Sequence, residues 1–196
     1  RYKGTKVVSV SPDYAESTTS SDAWLNVKAG TDAALAMAMG HVILKEYYID
    51  KETPYFKEYA KEFTDMPFLV RVEDINGAVQ PGRFLNAKDL GSKEDGADFQ
   101  TVLIDETTNE IVVPNGTMGD RHTNPQKWNL RLENRNTGAK IDPRLSVFDQ
   151  REDVTIVKLP YFGDEEHEGV IERAIPTITV QTVDGPVKVT TVYDLI

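Results

Sequence analysis

Within 196 residues, 32 acidic side chains outweigh 22 basic ones, and the formal net charge of -10 is reversed by no local basic run, which argues against a nucleic-acid or anionic-lipid partner. With 39% apolar and 28% charged residues the chain can bury a core, as one sizeable domain or a domain with a large insertion, and no window approaches the roughly 18 uninterrupted apolar residues of a bilayer span. Cysteine is absent, so these residues supply no disulfide, thiolate nucleophile or iron–sulfur ligand.

The opening RYKGTKVVSV has neither an initiator Met nor the apolar core and cleavage site of a signal peptide, and it runs almost at once into a strand, which suggests a cut edge. Lys6–Ser11 (KVVSVS) is a β-branched run stopped by Pro12, as expected of a strand ending in a turn. The polar stretch Glu16 to Asp22 fits a loop or helical turn, and Ala23–Val27 (AWLNV) a second short strand. After Gly30 a helix is expected from Thr31 to about Tyr48, with Leu35, Met39, Val42 and Glu46 at helical spacing, Thr31 as N-cap and Asp32 favoured in the first turn. Met37 and Met39 read as core packing on that helix. A further helix is predicted over Tyr55–Phe63 and a strand over Phe68–Val72.

From about Glu73 the texture becomes β-rich, with runs at Gly82–Leu85, Thr101–Ile104, Glu110–Val113, Lys127–Leu132 and Val154–Leu159. Asn76-Gly77, Pro81-Gly82, Asn115-Gly116 and Thr137-Gly138 read as turns, and Ser92–Asp98 as an exposed loop. Thr177–Thr182 and Pro186–Val192 form a hairpin around Asp184-Gly185, and Tyr193–Ile196 begins a helix. The fold class is therefore α/β: a partial parallel-sheet nucleotide-binding framework with a β-rich insertion, divided as 1–72, 73–176 and 177–196.

In open α/β sheets ligands gather beyond the carboxyl ends of parallel strands, facing backbone amides and the first turns of helices. Ser11, Pro12, Asp13 and Tyr14 supply one such strand-end loop, and Lys28, Gly30, Thr31 and Asp32 a neighbouring helix entrance. The two acceptor oxygens of Asp32 suit a guanine's N1 and N2 donors, Ser11 or Asp13 can bond ribose hydroxyls, and Tyr14 can lie against sugar or base. No Gly-rich dinucleotide fingerprint or GK[ST] phosphate loop accompanies them. On chemistry alone, a helix cap after a terminated strand accounts for the same residues.

VVSVSPDYAES followed by DAWLNVKAGTDAALAMAMGHVILKE resembles the molybdopterin oxidoreductase superfamily, whose members carry a strand, a D-P-R-like loop, a W-L strand and a G-T-D-A-A-L helix start. Ser11 and Asp13 replace the usual Asp and Arg, and this S/T-P-D-Y version resembles the alpha (catalytic) subunits of membrane-bound respiratory nitrate reductases. YFKEYAKEFTDMPFLV at 55–70, GRFLNAKDL at 82–90, VVPNGTMG at 112–119, KWNL at 127–130, LPYFGD at 159–164 and VTTVYDLI at 189–196 follow in the same order.

The resemblance implies a fragment, inactive by itself, of a subunit that holds molybdenum in two molybdopterin guanine dinucleotides and carries a 4Fe-4S cluster near its N-terminus. It implies reduction of nitrate to nitrite in anaerobic respiration, with electrons from an iron–sulfur beta subunit and a membrane cytochrome gamma subunit, on the cytoplasmic face of the membrane. The metal-ligating carboxylate and the cluster ligands are expected before Arg1. Ser11, Pro12, Asp13, Tyr14, Gly30, Thr31 and Asp32 are implied to meet the guanosine end of one dinucleotide, without the contact an Arg at position 13 would make. Selenate, chlorate or a similar oxyanion remains open as substrate, as does a structural or subunit-interaction role for the β-rich part.

His41, His122 and His167 are too dispersed to form a metal set by spacing. His41 reads as an ordinary packed or surface histidine, residues 164–168 (DEEHE) as a solvated loop, and Trp24 and Trp128 as anchors of a core or interface. No catalytic residue and no metal ligand is assigned.

Overall fold

The computed structural model describes residues 3–51, 53–115, 132–160 and 170–196. The expectations for Lys127–Leu130, Trp128, His122, His167 and the 164–168 loop, and parts of the VVPNGTMG and LPYFGD matches, lie outside the described residues. The chain divides into two compact units, Arg1–Phe56 and Lys57–Ile196.

In the first unit, β1 (Val8–Val10) and β2 (Ala23–Leu25) form a parallel pair with Ser9 opposite Trp24, joined by α1 (Glu16–Thr19). The pair is short but pinned from the side: Asp22 accepts from the Val7 amide at 2.8 Å, and the Ser9 and buried Thr18 hydroxyls meet at 3.3 Å. α2 (Asp32–Ile43) follows and continues as a π-helical turn, Leu44–Ile49. The expected helix is thus present, but its last turns widen.

Two details of that helix correct the sequence reading. Met37 and Met39 are 76% and 58% exposed, and no residue of α2 is buried, so they pack no core among the described residues of their own unit. Thr31 occupies the N-cap position, but its hydroxyl donates backwards to the Lys28 carbonyl at 2.6 Å instead of capping the helix. The reason is local. Gly30 takes φ +82°, which closes a turn that brings the Thr31 amide and hydroxyl onto the same Lys28 oxygen.

α3 (Pro54–Phe63) is amphipathic, burying Ala60 while Lys57, Glu58, Lys61 and Glu62 stay at least partly wet. The second unit is built on a five-stranded antiparallel sheet of order β4-β3-β9-β8-β7, made from β3 (Leu69–Ile75), β4 (Ala78–Phe84), β7 (Asp153–Pro160), β8 (Val170–Thr182) and β9 (Gly185–Thr191). A small pair, β5 (Leu103–Ile104) and β6 (Ile111–Val112), lies beside it, and α4 (Val192–Leu195) follows β9. Leu69, Leu85, Val102, Ile104, Val147, Val180 and Val189 close the main core, and Phe68, Leu103, Val112 and Ile141 a second cluster. Parallel and antiparallel sheets with helices place the chain in the α/β class.

Asn76 and Gly77 at φ 57° and 81° make the two-residue turn between β3 and β4, with Ile75 opposite Ala78. Pro81-Gly82, by contrast, is no turn. It lies inside β4 where the register slips between Val72 opposite Pro81 and Val70 opposite Phe84, the irregularity at which a strand tolerates a residue without an N–H. β8 also begins seven residues earlier than the run Thr177–Thr182, forming a ribbon with β7 from Asp153 opposite Thr177 to Pro160 opposite Val170.

Within the second unit, Asp89 and Arg144 are among the buried charged residues held in hydrogen-bonded knots. Asp89, only 7% exposed at its side chain, accepts both terminal nitrogens of Arg83 at 2.7 and 2.5 Å and the Asn86 amide at 3.1 Å, with Arg71 at 3.5 Å. Burial works to raise the Asp89 pKa, yet the hydrogen bonds from Arg83 and Asn86 outweigh it and hold the carboxyl below its ordinary value. Arg71 Nε sits 2.8 Å from Glu73 but makes no hydrogen bond, so that contact is an ion pair alone. Buried Arg144 is held by Glu106, Asn109 and Gln150.

Candidate functional site

Because β1 and β2 run parallel and in register, their carboxyl ends open on the same edge of the pair. Ser11 to Tyr14 leave β1 there and Asn26 to Asp32 leave β2 there, so both predicted segments emerge together. The Ser11 amide donates to the Leu25 carbonyl at 3.2 Å, carrying the pairing one residue past β1. Pro12, lacking an N–H, then ends it.

Beyond that point the first loop is held by its own side chains. The Ser11 hydroxyl donates to Asp13 Oδ1 at 2.9 Å, and the Asp13 amide returns to the Ser11 oxygen at 3.4 Å. One carboxylate oxygen of Asp13 is therefore committed within the loop, and the other can accept from a ligand hydroxyl. The sequence marks Trp24 only as an anchor of a core or interface. It is half-buried, donates its indole N–H to the Ser11 carbonyl at 2.9 Å, and meets Tyr14 edge-on with ring centroids 5.2 Å apart. Its neighbouring-strand position opposite Ser9 is the signal that assigns it to the loop. Tyr14 stays 63% exposed, with a face available to stack.

At the second segment Gly30 shapes the turn and Thr31 closes it on Lys28, so the Thr31 hydroxyl is already donated. Its carbonyl accepts the Leu35 amide at 3.2 Å, the first helical bond of α2. Asp32 occupies the first turn, exposed, and among the described residues its carboxylate makes no hydrogen bond or ion pair. It is the freest acceptor of the set. Among the described residues no group of three or more His, Asp or Glu is placed to hold a metal ion.

The edge thus offers an unengaged carboxylate at a helix entrance, a half-engaged carboxylate, an exposed tyrosine and backbone turns. The chemistry of this set suits a polar, hydroxyl-bearing ligand with ring donors.

Residues 1–179 match the family described as Molybdopterin oxidoreductase. The chain belongs to the molybdopterin oxidoreductase family. Over all of its length it is 47% identical to the nitrate reductase alpha chain of Bacillus subtilis and 42% identical to the respiratory nitrate reductase 1 alpha chain of Escherichia coli, spanning 16% of each. It is also 37% identical to the perchlorate reductase subunit alpha of Dechloromonas aromatica, over 60% of this chain and 11% of that protein. Membership of the family implies a molybdenum–pterin cofactor. A free carboxylate, hydroxyl partners and an aromatic face at the β1–β2 edge fit a polar, hydroxyl-bearing part of such a group.

Proposed function

We propose that this chain is part of the catalytic subunit of a molybdenum-dependent respiratory nitrate reductase, and that its β1–β2 edge binds the guanosine end of a molybdopterin guanine dinucleotide. The observation that carries the binding role is the parallel pairing that brings Ser11–Tyr14 and Gly30–Asp32 to one edge with the Asp32 carboxylate unengaged. Nitrate as substrate is supported by likeness to nitrate reductase alpha chains over the whole chain, against 60% of it for the perchlorate reductase subunit.

In this role Asp32 accepts the guanine N1 and N2 donors, favoured by nothing competing for its oxygens. The free oxygen of Asp13 accepts a ribose hydroxyl while Ser11 holds its partner oxygen, and Tyr14, steadied by Trp24, lies along the sugar or base. Pro12, Gly30 and Thr31 shape the two turns and contribute backbone. When bound, the cofactor supplies the two-electron redox chemistry at molybdenum. The residues of this chain bind and orient it; the fragment is inactive alone.

The whole enzyme, on this reading, also holds a 4Fe-4S cluster, takes electrons from an iron–sulfur beta subunit and a membrane cytochrome gamma subunit, and works on the cytoplasmic face. No helix among the described residues is long and apolar enough to cross a membrane. The test is Asp32→Ala in the full-length enzyme, with cofactor content and nitrate reduction both measured. Loss of cofactor is expected; wild-type values for both would remove Asp32 from the site. A second reading, a structural module of a related oxyanion reductase, is favoured by the perchlorate reductase likeness and predicts normal cofactor content with perchlorate preferred to nitrate.

A further inference from the structure

The side-chain amide of an asparagine carries an electrophilic carbon, Cγ, within reach of the backbone nitrogen of the next residue. When that residue is glycine, no Cβ obstructs the approach. Asn-Gly occurs twice in this chain, at Asn76-Gly77 and Asn115-Gly116. The first pair lies wholly within the described residues.

Asn76 and Gly77 are the two central residues of the β3–β4 turn, at φ 57° and 81°, closed by Ile75 opposite Ala78. The ladder continues with Asp74 opposite Val79 and Glu73 opposite Gln80, so both ends of the turn are fixed. The Asn76 side chain is exposed, and among the described residues it makes no hydrogen bond. The Gly77 nitrogen is not free: its N–H donates to Asp74 Oδ1 at 2.8 Å. That bond opposes attack in two ways. It holds in place the proton that the nitrogen must give up, and an amide anion formed there would sit against the negative charge of the carboxylate. It also anchors the peptide plane between Asn76 and Gly77, which has to rotate before the nitrogen can reach Cγ.

We infer that Asn76 is a site of spontaneous covalent modification, and that the Asp74 carboxylate holds it in check through its hydrogen bond to the Gly77 amide. In the reaction the Gly77 nitrogen loses its proton to solvent and bonds to Asn76 Cγ. The side-chain nitrogen takes up a proton and leaves as ammonia, and a succinimide ring remains. Water opens the ring at either carbonyl to give aspartate or isoaspartate, with no change in oxidation state. Isoaspartate adds a carbon to the main chain inside a two-residue turn, so Ile75 and Ala78 lose their register. Nucleophile, electrophile and guard all belong to residues 74–77. The inference therefore stands apart from the guanosine reading and from whatever neighbours the second unit has.

The test follows deamidation of the peptide carrying Asn76 by mass spectrometry in the full-length catalytic subunit at mildly alkaline pH. The urea-unfolded protein supplies the rate of an unguarded pair. The native parent is expected to react at least ~tenfold more slowly than the unfolded protein. Asp74→Ala removes the acceptor and should speed the native reaction at least ~fivefold. Asp74→Asn keeps an acceptor oxygen without the charge and should fall between the two, at an unchanged urea midpoint, which separates the guard from a loosened hairpin. In urea all three proteins should react alike, because the bond to Gly77 exists only in the fold. A native parent that reacts at the unfolded rate overturns the inference, and so does native Asp74→Ala reacting no faster than the parent. An acceleration of the same size in urea overturns it too, since the effect then belongs to the local sequence and not to the bond.

Discussion

The indole N–H of Trp24 donates to the Ser11 carbonyl at 2.9 Å while its ring meets Tyr14 edge-on, so a single side chain on β2 holds both the first and the last residue of the β1 strand-end loop. Trp24→Phe keeps a ring for Tyr14 but removes the donor, leaving the Ser11 carbonyl short of a partner, at about 1 kcal/mol. In the full-length enzyme the expected result is cofactor retention weakened by about fivefold, since ~1.4 kcal/mol corresponds to tenfold. Molybdenum and guanine content after exhaustive dialysis measure it. Unchanged retention beside a cofactor-free Asp32→Ala variant would detach this loop from the ligand.

Asp89 joins β3, β4 and the loop after β4, because Arg71, Arg83 and the Asn86 amide all converge on it. Asp89→Asn leaves two guanidinium groups without their carboxylate; with Arg83 half exposed, the loss is about 2–3 kcal/mol, less than for a fully buried pair. Its pKa is held below the ordinary value, so the stability it contributes is present above that ordinary value and lost as pH falls through the lower, folded one. Urea unfolding should therefore show the Asp89→Asn penalty at neutral pH and see it shrink in acid.

What the sequence makes legible here is what short range controls. The β-branched run before Pro12, the Asn76-Gly77 turn and the helix opening at Asp32 depend on neighbours a few residues apart, and each is present. Pro81-Gly82 misleads because a bulge absorbs it, a property of the pairing with β3 that no local signal records. The first half of β8 is hidden because Glu172, Arg173 and Pro176 interrupt its apolar pattern, while its pairing with β7 supplies the order. For the site, the residue types at 11–14 and 30–32 are readable, but the commitment of Ser11 to Asp13, the backward bond of Thr31 and the part played by Trp24 emerge only when β1 and β2 lie side by side. The exposed α2 is the sharpest departure: apolar composition signals burial, which the described residues of its own unit do not supply.

Gly77 closes the β3–β4 turn at φ 81°, with its amide donated to Asp74 Oδ1 at 2.8 Å. An added Cβ meets no atom within 4 Å, so Gly77→Ala tests backbone strain without a steric clash. The expected loss is about 1 kcal/mol. Asn76 already carries its Cβ at φ 57°, a conformation Asn tolerates better than Ala does, so Asn76→Ala should cost less than Gly77→Ala, about half as much. Denaturant midpoints for the two variants, at unchanged slope, measure both.

Asp194 should respond to pH in the opposite sense to Asp89. Its Oδ1 accepts from Ser146 Oγ at 2.7 Å and its Oδ2 from the Val147 amide and Thr191 Oγ1, each at 2.9 Å, tying the 146–147 segment to the start of α4. Burial nevertheless dominates and pushes the carboxyl above its ordinary value, against the help of those donors. A raised folded pKa means the folded state holds the proton more tightly than the unfolded chain. The associated stability is complete below the ordinary value and is lost as pH rises through the folded one. Asparagine resembles the protonated carboxyl in keeping an acceptor for Val147 and Thr191 and offering a donor to Ser146. Asp194→Asn should therefore gain on the parent chain as pH rises from about 4 to about 7, whereas Asp89→Asn should lose ground over the same interval. Parallel urea titrations of the two variants and the parent decide it. A stability difference for Asp194→Asn that stays flat or turns negative with rising pH would mean that the three donors outweigh burial at this corner.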